Sequence, residues 1–369
     1  MRITRLDTEL LRIPLKRAIS LPTSQDPRPA RHVDLLLAHL HTDAGITGLG
    51  LSYLLGGGGR ALVELIEERL RPLVVNEDPL RCEWLFARAV AELEAIGFSG
   101  LGARAYAAID TALWDLKGKV AGLPLHRLLG GYRNQVKAIV SDTATPALGL
   151  KQAASETRAA LDRGAAGVCI EIGTHDPELD LERVRQLRQV LPEGVWFEVS
   201  GCGRYDEATA LALGRLFVEE FAIDGFSDPL RPDDWQGLAR LSQRLEVGLA
   251  VGALAERPED FLRLLHQGGI AAIRLDPARL GGLTPLRKIA HAAELHHVAI
   301  YPVRLPEVGV HLSCGMLLGR VGEYVDWFEE IFDGGPRFVD GQLLPPEGPG
   351  LGLQLRASEA ERCRLWRSE

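Results

Sequence analysis

The 369-residue chain carries a formal charge of −8, with 46% apolar and 25% charged residues, the balance of a folded globule rather than a disordered tail. It has no basic stripe or Lys/Arg block, which argues against nucleic acid as a partner, and no apolar run of roughly eighteen residues that would span a membrane. The 42 basic residues are six lysines and 36 arginines, and no lysine lies between Lys151 and Lys288. That central stretch offers no lysine base, and arginine stays protonated near neutrality.

In chain order, residues 2–13 and 32–41 alternate apolar and polar side chains, as strands do, and 42–45 reads as a turn into 46–50. The N-terminus therefore has strand character and no signal-peptide core, so a cytoplasmic protein is expected. Gly56 to Gly59 follow without the flanking pattern of a phosphate cradle, and a mobile loop is expected there. Helical periodicity runs over 60–71, 79–93 and 103–119, until Gly122-Leu123-Pro124 breaks it. The five cysteines are widely spaced with no C-x-x-C pair, which predicts buried thiols rather than disulfides or a zinc ribbon.

From Val136 onward, short apolar or β-branched runs recur at 136–140, 167–172, 195–199, 223–226, 248–251, 271–275 and 298–301. Helical patterns fill gaps at 177–190, 206–220, 233–244, 258–266 and 285–296. Repeated β-α units with fully apolar strands predict a parallel sheet covered on both faces and closed into a barrel. The Pro- and Gly-rich segment 345–352 reads as an ordered cap segment. In such a barrel the reactive groups sit at the C-terminal strand ends, which here present Cys169 and Glu171, Glu198 and Ser200, Ser227 and Asp228, Gly252 and Ala253, Asp276, and 303–307.

The segment Ala108-Ile109-Asp110-Thr111-Ala112-Leu113-Trp114-Asp115-Leu116-Lys117-Gly118-Lys119, with Gly122-Leu123-Pro124-Leu125 and Leu128-Leu129-Gly130-Gly131, resembles the enolase superfamily, in its mandelate racemase and muconate lactonizing enzyme group. Thr42 to Gly50, Asp228-Pro229-Leu230, Leu275-Asp276 with Gly281-Gly282-Leu283-Thr284, and Pro349-Gly350-Leu351-Gly352 carry the same resemblance almost end to end. It implies an α/β fold: a modified (β/α)7β TIM-type barrel over 131–329, under an α+β capping domain formed by 1–130 and the tail from about 330 to 369. It also implies homo-oligomers and a Mg²⁺ ion, held by three carboxylates, that stabilises the enediolate formed when a base removes the proton α to a carboxylate.

Residue by residue, the resemblance breaks at the chemistry. The first metal position falls on Glu198, the second on Ser227 and the third on Ala253, so Glu198 is at most one ligand and no cofactor is expected. The two lysines of the second strand fall on Cys169 and Glu171, and the histidine that partners Asp276 falls on Val303. Asp276 and Glu307 match the family's aspartate and glutamate. Alternation along a strand predicts that Asp228 points away if Ser227 points in, which counts against a shifted site of Glu198, Asp228 and Glu256.

Glu171 and Glu198, on adjacent strands, are candidates to share a proton, or Glu171 to pair with a barrel arginine such as Arg274. Cys169 has no histidine at a neighbouring strand end to activate it, and His175 is the only histidine placed to enter the mouth from that side. Asp276 also suits a turn-capping role, and Arg274, Arg304 and Ser200 suit a carboxylate ligand.

Two functions remain open. One is a lyase or isomerase acting on a small carboxylate such as a sugar acid without the Mg²⁺ triad, with Glu171, Asp276, Glu307 and Cys169 as candidate catalytic residues. The other is a catalytically inactive barrel that binds a small anion or serves as an assembly subunit.

Overall fold

The computed structural model describes residues 1–21, 28–174 and 176–368. Strands β1 (Ile3–Leu21), β2 (Arg28–Thr42) and β3 (Thr47–Leu55) are followed by helices α1 (Gly59–Leu65), α2 (Arg71–Val74), α3 (Cys82–Leu93), α4 (Leu101–Ala121) and α5 (Leu125–Leu128), with a π turn over Ile66–Leu70. The next part alternates β4 (Val136–Val140), α6 (Leu150–Asp162), β5 (Gly167–Glu171), α7 (Pro177–Arg188), β6 (Trp196–Ser200), α8 (Glu207–Phe221), β7 (Gly225–Ser227), α9 (Trp235–Ser242), β8 (Gly248–Val251) and α10 (Pro258–Gln267). It continues through β9 (Ile270–Leu275), α11 (Pro277–Leu280), α12 (Leu283–Leu295), β10 (Ala299–Pro302), α13 (Pro306–Gly315) and β11 (Val321–Tyr324). The tail adds β12 (Phe332–Asp333), β13 (Arg337–Val339), β14 (Gln342–Leu344), β15 (Gln354–Leu355), α14 (Ala357–Cys363) and β16 (Arg364–Arg367).

Strands β4 to β10 pair in parallel in chain order, and β11 pairs in parallel with β4. A parallel bridge between Ile300 and Gly319, just ahead of β11, links the two ends and closes the barrel. The cap is the antiparallel sheet β16-β1-β2-β3 laid on α4. The tail beyond about 330 is divided between the two parts: β16 completes the cap sheet, whereas the β13–β14 hairpin pairs through Leu343 with Val136 at the start of β4. Among the described residues no helix is long and apolar enough to cross a membrane.

The motif on α4 is legible as a clamp. Asp115 accepts the amide of Leu49 on β3 at 2.8 Å and the amide of Leu351 in the tail at 2.8 Å, and Thr111 accepts the amide of Leu51. Asp110 accepts the amide of Thr284 at the start of α12, tying the cap to the barrel. Small residues let β3 lie directly on the helix: a Cβ added at Gly50 would fall 1.9 Å from the Ala108 carbonyl oxygen. Full burial of Leu113 and Leu116 on the same helix contributes about 1.5–3 kcal/mol each.

The four-glycine segment is a built turn. Gly56, Gly57 and Gly58 have φ of 74°, 103° and 96°, and the Gly59 amide donates to Asp34 at 3.0 Å as α1 begins.

Candidate functional site at the barrel mouth

Alternation on the barrel strands separates two sets of side chains. Val168, Ile170, Phe197 and Val199 join the large core under the helices, whereas Cys169 joins Ile139, Tyr301 and Val303 inside the barrel. The register aligns Cys169 with Glu198 and Glu171 with Ser200. Polar residues at the ends of successive strands therefore converge on one buried mouth. Its backbone is unusual: Asp142, Cys202, Asp228 and Arg304, each just beyond a strand end, have φ of 63°, 53°, 38° and 68°. Non-glycine residues take up this region at some cost and cluster where a side chain must be aimed.

Arg304, with one-fifth of its side chain exposed, bridges two acids. Its Nη1 lies 2.7 Å from Asp142, and its Nη2 donates to Glu171. The Arg304 amide donates to Glu323 on β11. Asp142 also accepts the indole of Trp327 at 2.9 Å, and its own carbonyl accepts Arg17. Burial alone would favour loss of the Arg304 proton, but Glu171, Asp142 and Glu323 hold the guanidinium charged well above its usual range. Burial pushes Asp142 up to about 6 against the pull of Arg304.

Arg274, 3% exposed, forms the second centre. Its Nη1 lies 2.8 Å from Asp228 and 3.4 Å from the Ser200 hydroxyl, and its Nη2 lies 3.5 Å from Glu323. Asp228 also accepts the amides of Gly252 and Ala253 at 2.7 and 3.2 Å. Burial works against the Arg274 charge, and Asp228, Cys169, Glu198 and Glu323 more than restore it. A guanidinium thus occupies the space among the ends of β6, β7, β9 and β11.

The remaining candidates are dispersed. Cys169 donates to Glu198 at 3.5 Å and lies 3.9 Å from Ser227. Burial, reinforced by Glu198, raises the Cys169 thiol well above its usual range, which suppresses the thiolate. Burial likewise raises Glu198. Ala253 contributes no side-chain donor. Glu256 is engaged by Arg279 at 3.0 Å. Asp276 caps α11 through the Ala278 amide at 2.9 Å and accepts the Tyr53 hydroxyl at 2.6 Å. Glu307, in the first turn of α13, is pushed up to about 8 by burial, with Glu329 adding to the shift, and its Oε2 has no hydrogen-bond partner among the described residues. His175 lies outside the described residues.

Three expectations are corrected. Glu171 forms the expected ion pair with a barrel arginine, but its partner is Arg304 and not Arg274, because Arg274 is already engaged by Asp228. Glu171 and Glu198 are drawn to different cations and share no hydrogen bond, so the shared-proton arrangement is not formed. Asp228 does not point away: β7 ends at Ser227, and the left-handed backbone at Asp228 turns its carboxylate towards Arg274. The shifted trio of Glu198, Asp228 and Glu256 is still not assembled, because two of the three are held by separate arginines. Among the described residues no group of three or more His, Cys, Asp and Glu is arranged to hold a metal ion.

Three site residues lie outside the sequence expectation. Asp142 follows the first barrel strand, and the strand-end rule applied there would have found it. Glu323 sits on β11, whose Val321-Gly322-Glu323-Tyr324 has no apolar run to mark it. Tyr53 reaches the mouth from the cap strand β3, a placement no local pattern carries.

The mandelate racemase/muconate lactonizing enzyme N-terminal domain matches residues 12–130, and the enolase C-terminal domain-like family matches residues 152–360. L-talarate/galactarate dehydratase of Salmonella typhimurium is 27% identical, over 92% of this chain and 84% of its own length. Arabinonate dehydratase of Saccharolobus solfataricus is 28% identical, over 90% of this chain and 91% of its own. The crystal structure of L-talarate dehydratase from Polaromonas sp. JS666, complexed with Mg and L-glucarate, superposes with a TM-score of 0.90 at 30% identity, covering 100% of this chain and 98% of that one.

Proposed function

Because the chain belongs to the mandelate racemase and muconate lactonizing enzyme family, we propose that it descends from sugar-acid dehydratases but no longer carries out metal-assisted proton abstraction, and that its mouth binds a small polyhydroxylated acid without turning it over. The supporting observation is Arg274: a buried guanidinium sits among Asp228, Ser200 and Glu323, where strand-end donors converge. A divalent ion needs several oxygen ligands at one point. Here Glu198 bonds to a thiol, Asp228 is spent on Arg274 and two amides, Ser227 is neutral and Ala253 has no donor, so these residues do not fit Mg²⁺.

The base positions follow the same pattern. Glu171 is ion-paired, Asp276 is a helix cap, and Val303 is packed in the barrel interior. Arg304, partly exposed, is placed to meet a ligand carboxylate, and Asp142 and Glu171 to accept ligand hydroxyls. A mouth of mixed sign suits an acid that also carries several hydroxyls. Cytoplasmic location and homo-oligomeric assembly belong to the same reading.

A second reading is favoured by one observation: Glu307 keeps a protonated, unpartnered carboxyl near neutral pH, which is what a general acid requires. In that reading the chain is a metal-independent lyase or isomerase on small carboxylates.

Incubation of the protein with talarate, galactarate and arabinonate in D₂O, read by NMR with parallel thermal-shift curves, tests the choice. The proposal expects a raised melting temperature with at least one acid and no α-proton exchange, with or without Mg²⁺. Exchange abolished by Glu307→Gln would replace it with the second reading.

A further inference from the structure

The barrel face opposite the mouth carries polar groups that the proposed function leaves unused. A cleft of about 400 Å³ opens between α5, the approach to β4 and the exit from β14, lined by His126, Arg127, Asn134, Gln135, Arg337 and Glu347 among others. It belongs to the N-terminal end of the barrel, since β14 pairs with Val136 where β4 begins.

Its polar inventory is lopsided. Unlike Arg274 and Arg304, Arg127 and Arg337 form no side-chain hydrogen bond or ion pair among the described residues. The amides of Asn134 and Gln135 are equally unengaged there. His126 is 3% exposed, yet its Nδ1 is buried with no partner. The ring is held in place, because the His126 amide donates to Nδ1 of His311 at 3.2 Å and the two rings stack at 5.9 Å. His311 is fixed in turn against the Leu351 carbonyl. Burial and Arg127 both disfavour the charged His126, while Glu347 opposes them.

Two guanidinium groups against one carboxylate leave a net positive cleft whose free groups are chiefly donors. Its volume falls in the range of small-ligand sites. Paired guanidinium groups recognise planar and tetrahedral oxyanions through parallel N–H···O bonds.

We propose that this cleft binds a compact oxyanion, a phosphate group or a small dicarboxylate, between Arg127 and Arg337, with Asn134 and Gln135 as further donors. A ligand here sits on the underside of the barrel and against α5, whose Leu125 amide donates to the Gly350 carbonyl, so it lies where the end of the cap meets the tail.

Calorimetric titration of the full chain with inorganic phosphate, and separately with malonate, at constant ionic strength near neutral pH tests this. The expected result is one-to-one binding of at least one probe, weakened about tenfold or more by Arg127→Gln and by Arg337→Gln and unchanged by Arg304→Gln at the mouth. Both cleft arginines are exposed, so their replacement should leave the melting curve in place, and that curve is the control for folding. Phosphate preferred over malonate identifies a phosphate ester as the ligand class, and the reverse identifies a dicarboxylate. No binding up to about 20 mM of either probe, well above the weakest useful affinity, would overturn the proposal. So would binding that both arginine variants leave intact, or that Arg304→Gln removes while its melting curve shows a folded protein. The outcome is independent of whether the mouth binds or transforms a sugar acid.

Discussion

The guanidinium of Arg274, at the end of β9, lies 2.8 Å from the carboxylate of Asp228, just beyond the end of β7, and both side chains are buried. A buried pair of this kind is costly to break from one side, because the remaining charge is left without a partner in a low-dielectric interior. Arg274→Met is expected to lower stability in urea by about 3–5 kcal/mol. Combining it with Asp228→Asn should cost less than the sum of the two single changes, because both remove the same interaction. Additive effects would mean that the pair is not coupled.

Glu307 gives the fold a pH dependence of definite sign. Its folded carboxyl is raised from 4.5 to about 8, so the folded state holds a proton that the unfolded chain releases. Its stabilising contribution is complete below about pH 4.5 and is lost as pH rises towards 8. Glu307→Gln, which cannot ionise, should leave stability near its original value at pH 5 and gain on the parent by a few kcal/mol at pH 8.5. Denaturant midpoints of the two proteins across that range measure it, and parallel curves would contradict the account.

Asp276 acts as a cap in this geometry, through the Ala278 amide and the Tyr53 hydroxyl. Asp276→Asn is expected to cost about 1–2 kcal/mol of stability. Tyr53→Phe should cost less when Asp276 is already replaced than in the parent protein. Equal costs of Tyr53→Phe in the two backgrounds would show that the hydroxyl and the carboxylate are not partners.

Gly50 tests the contact between the cap sheet and α4. A Cβ there meets the Ala108 carbonyl at 1.9 Å and the Ala112 amide at 2.4 Å, backbone atoms that cannot rotate away. Gly50→Ala should destabilise the protein by roughly 3 kcal/mol or more. Gly45→Ala, with nothing within 4 Å of the added carbon but φ at 71°, should cost only the smaller strain of a left-handed backbone.

Much of the fold was legible because barrel strands and covering helices impose simple periods on the chain: 136–140 and 248–251 coincide with β4 and β8. The last barrel unit escaped, since α13 is buried on all sides and has no polar face to give it a helical period, and β11 contains a glycine and a glutamate. The tail hairpin that joins β4 also carries no local sign of its partner.

At the site, alignment by motif located Cys169, Glu171, Glu198, Ser227 and Ala253 at the strand ends. It did not reveal how Arg274 and Arg304 divide the acids between them. That division depends on side chains from Asp142, Asp228 and Glu323, the first two aimed by left-handed backbone and the third carried by the late strand β11, none of which alternation rules describe. Alternation failed at Asp228 for the same reason: it applies within a strand, and the strand had ended one residue earlier.

The proposed function rests on a mouth whose residues do not fit Mg²⁺: Arg274 holds Asp228, Glu198 bonds to a thiol, and Ser227 and Ala253 offer no carboxylate. Isothermal titration of the full chain with MgCl₂ at low ionic strength tests it most directly. No stoichiometric heat at millimolar Mg²⁺ is expected from the parent protein, and no change in melting temperature. One-to-one binding of Mg²⁺, lost on Glu198→Gln or Asp228→Asn, would contradict it.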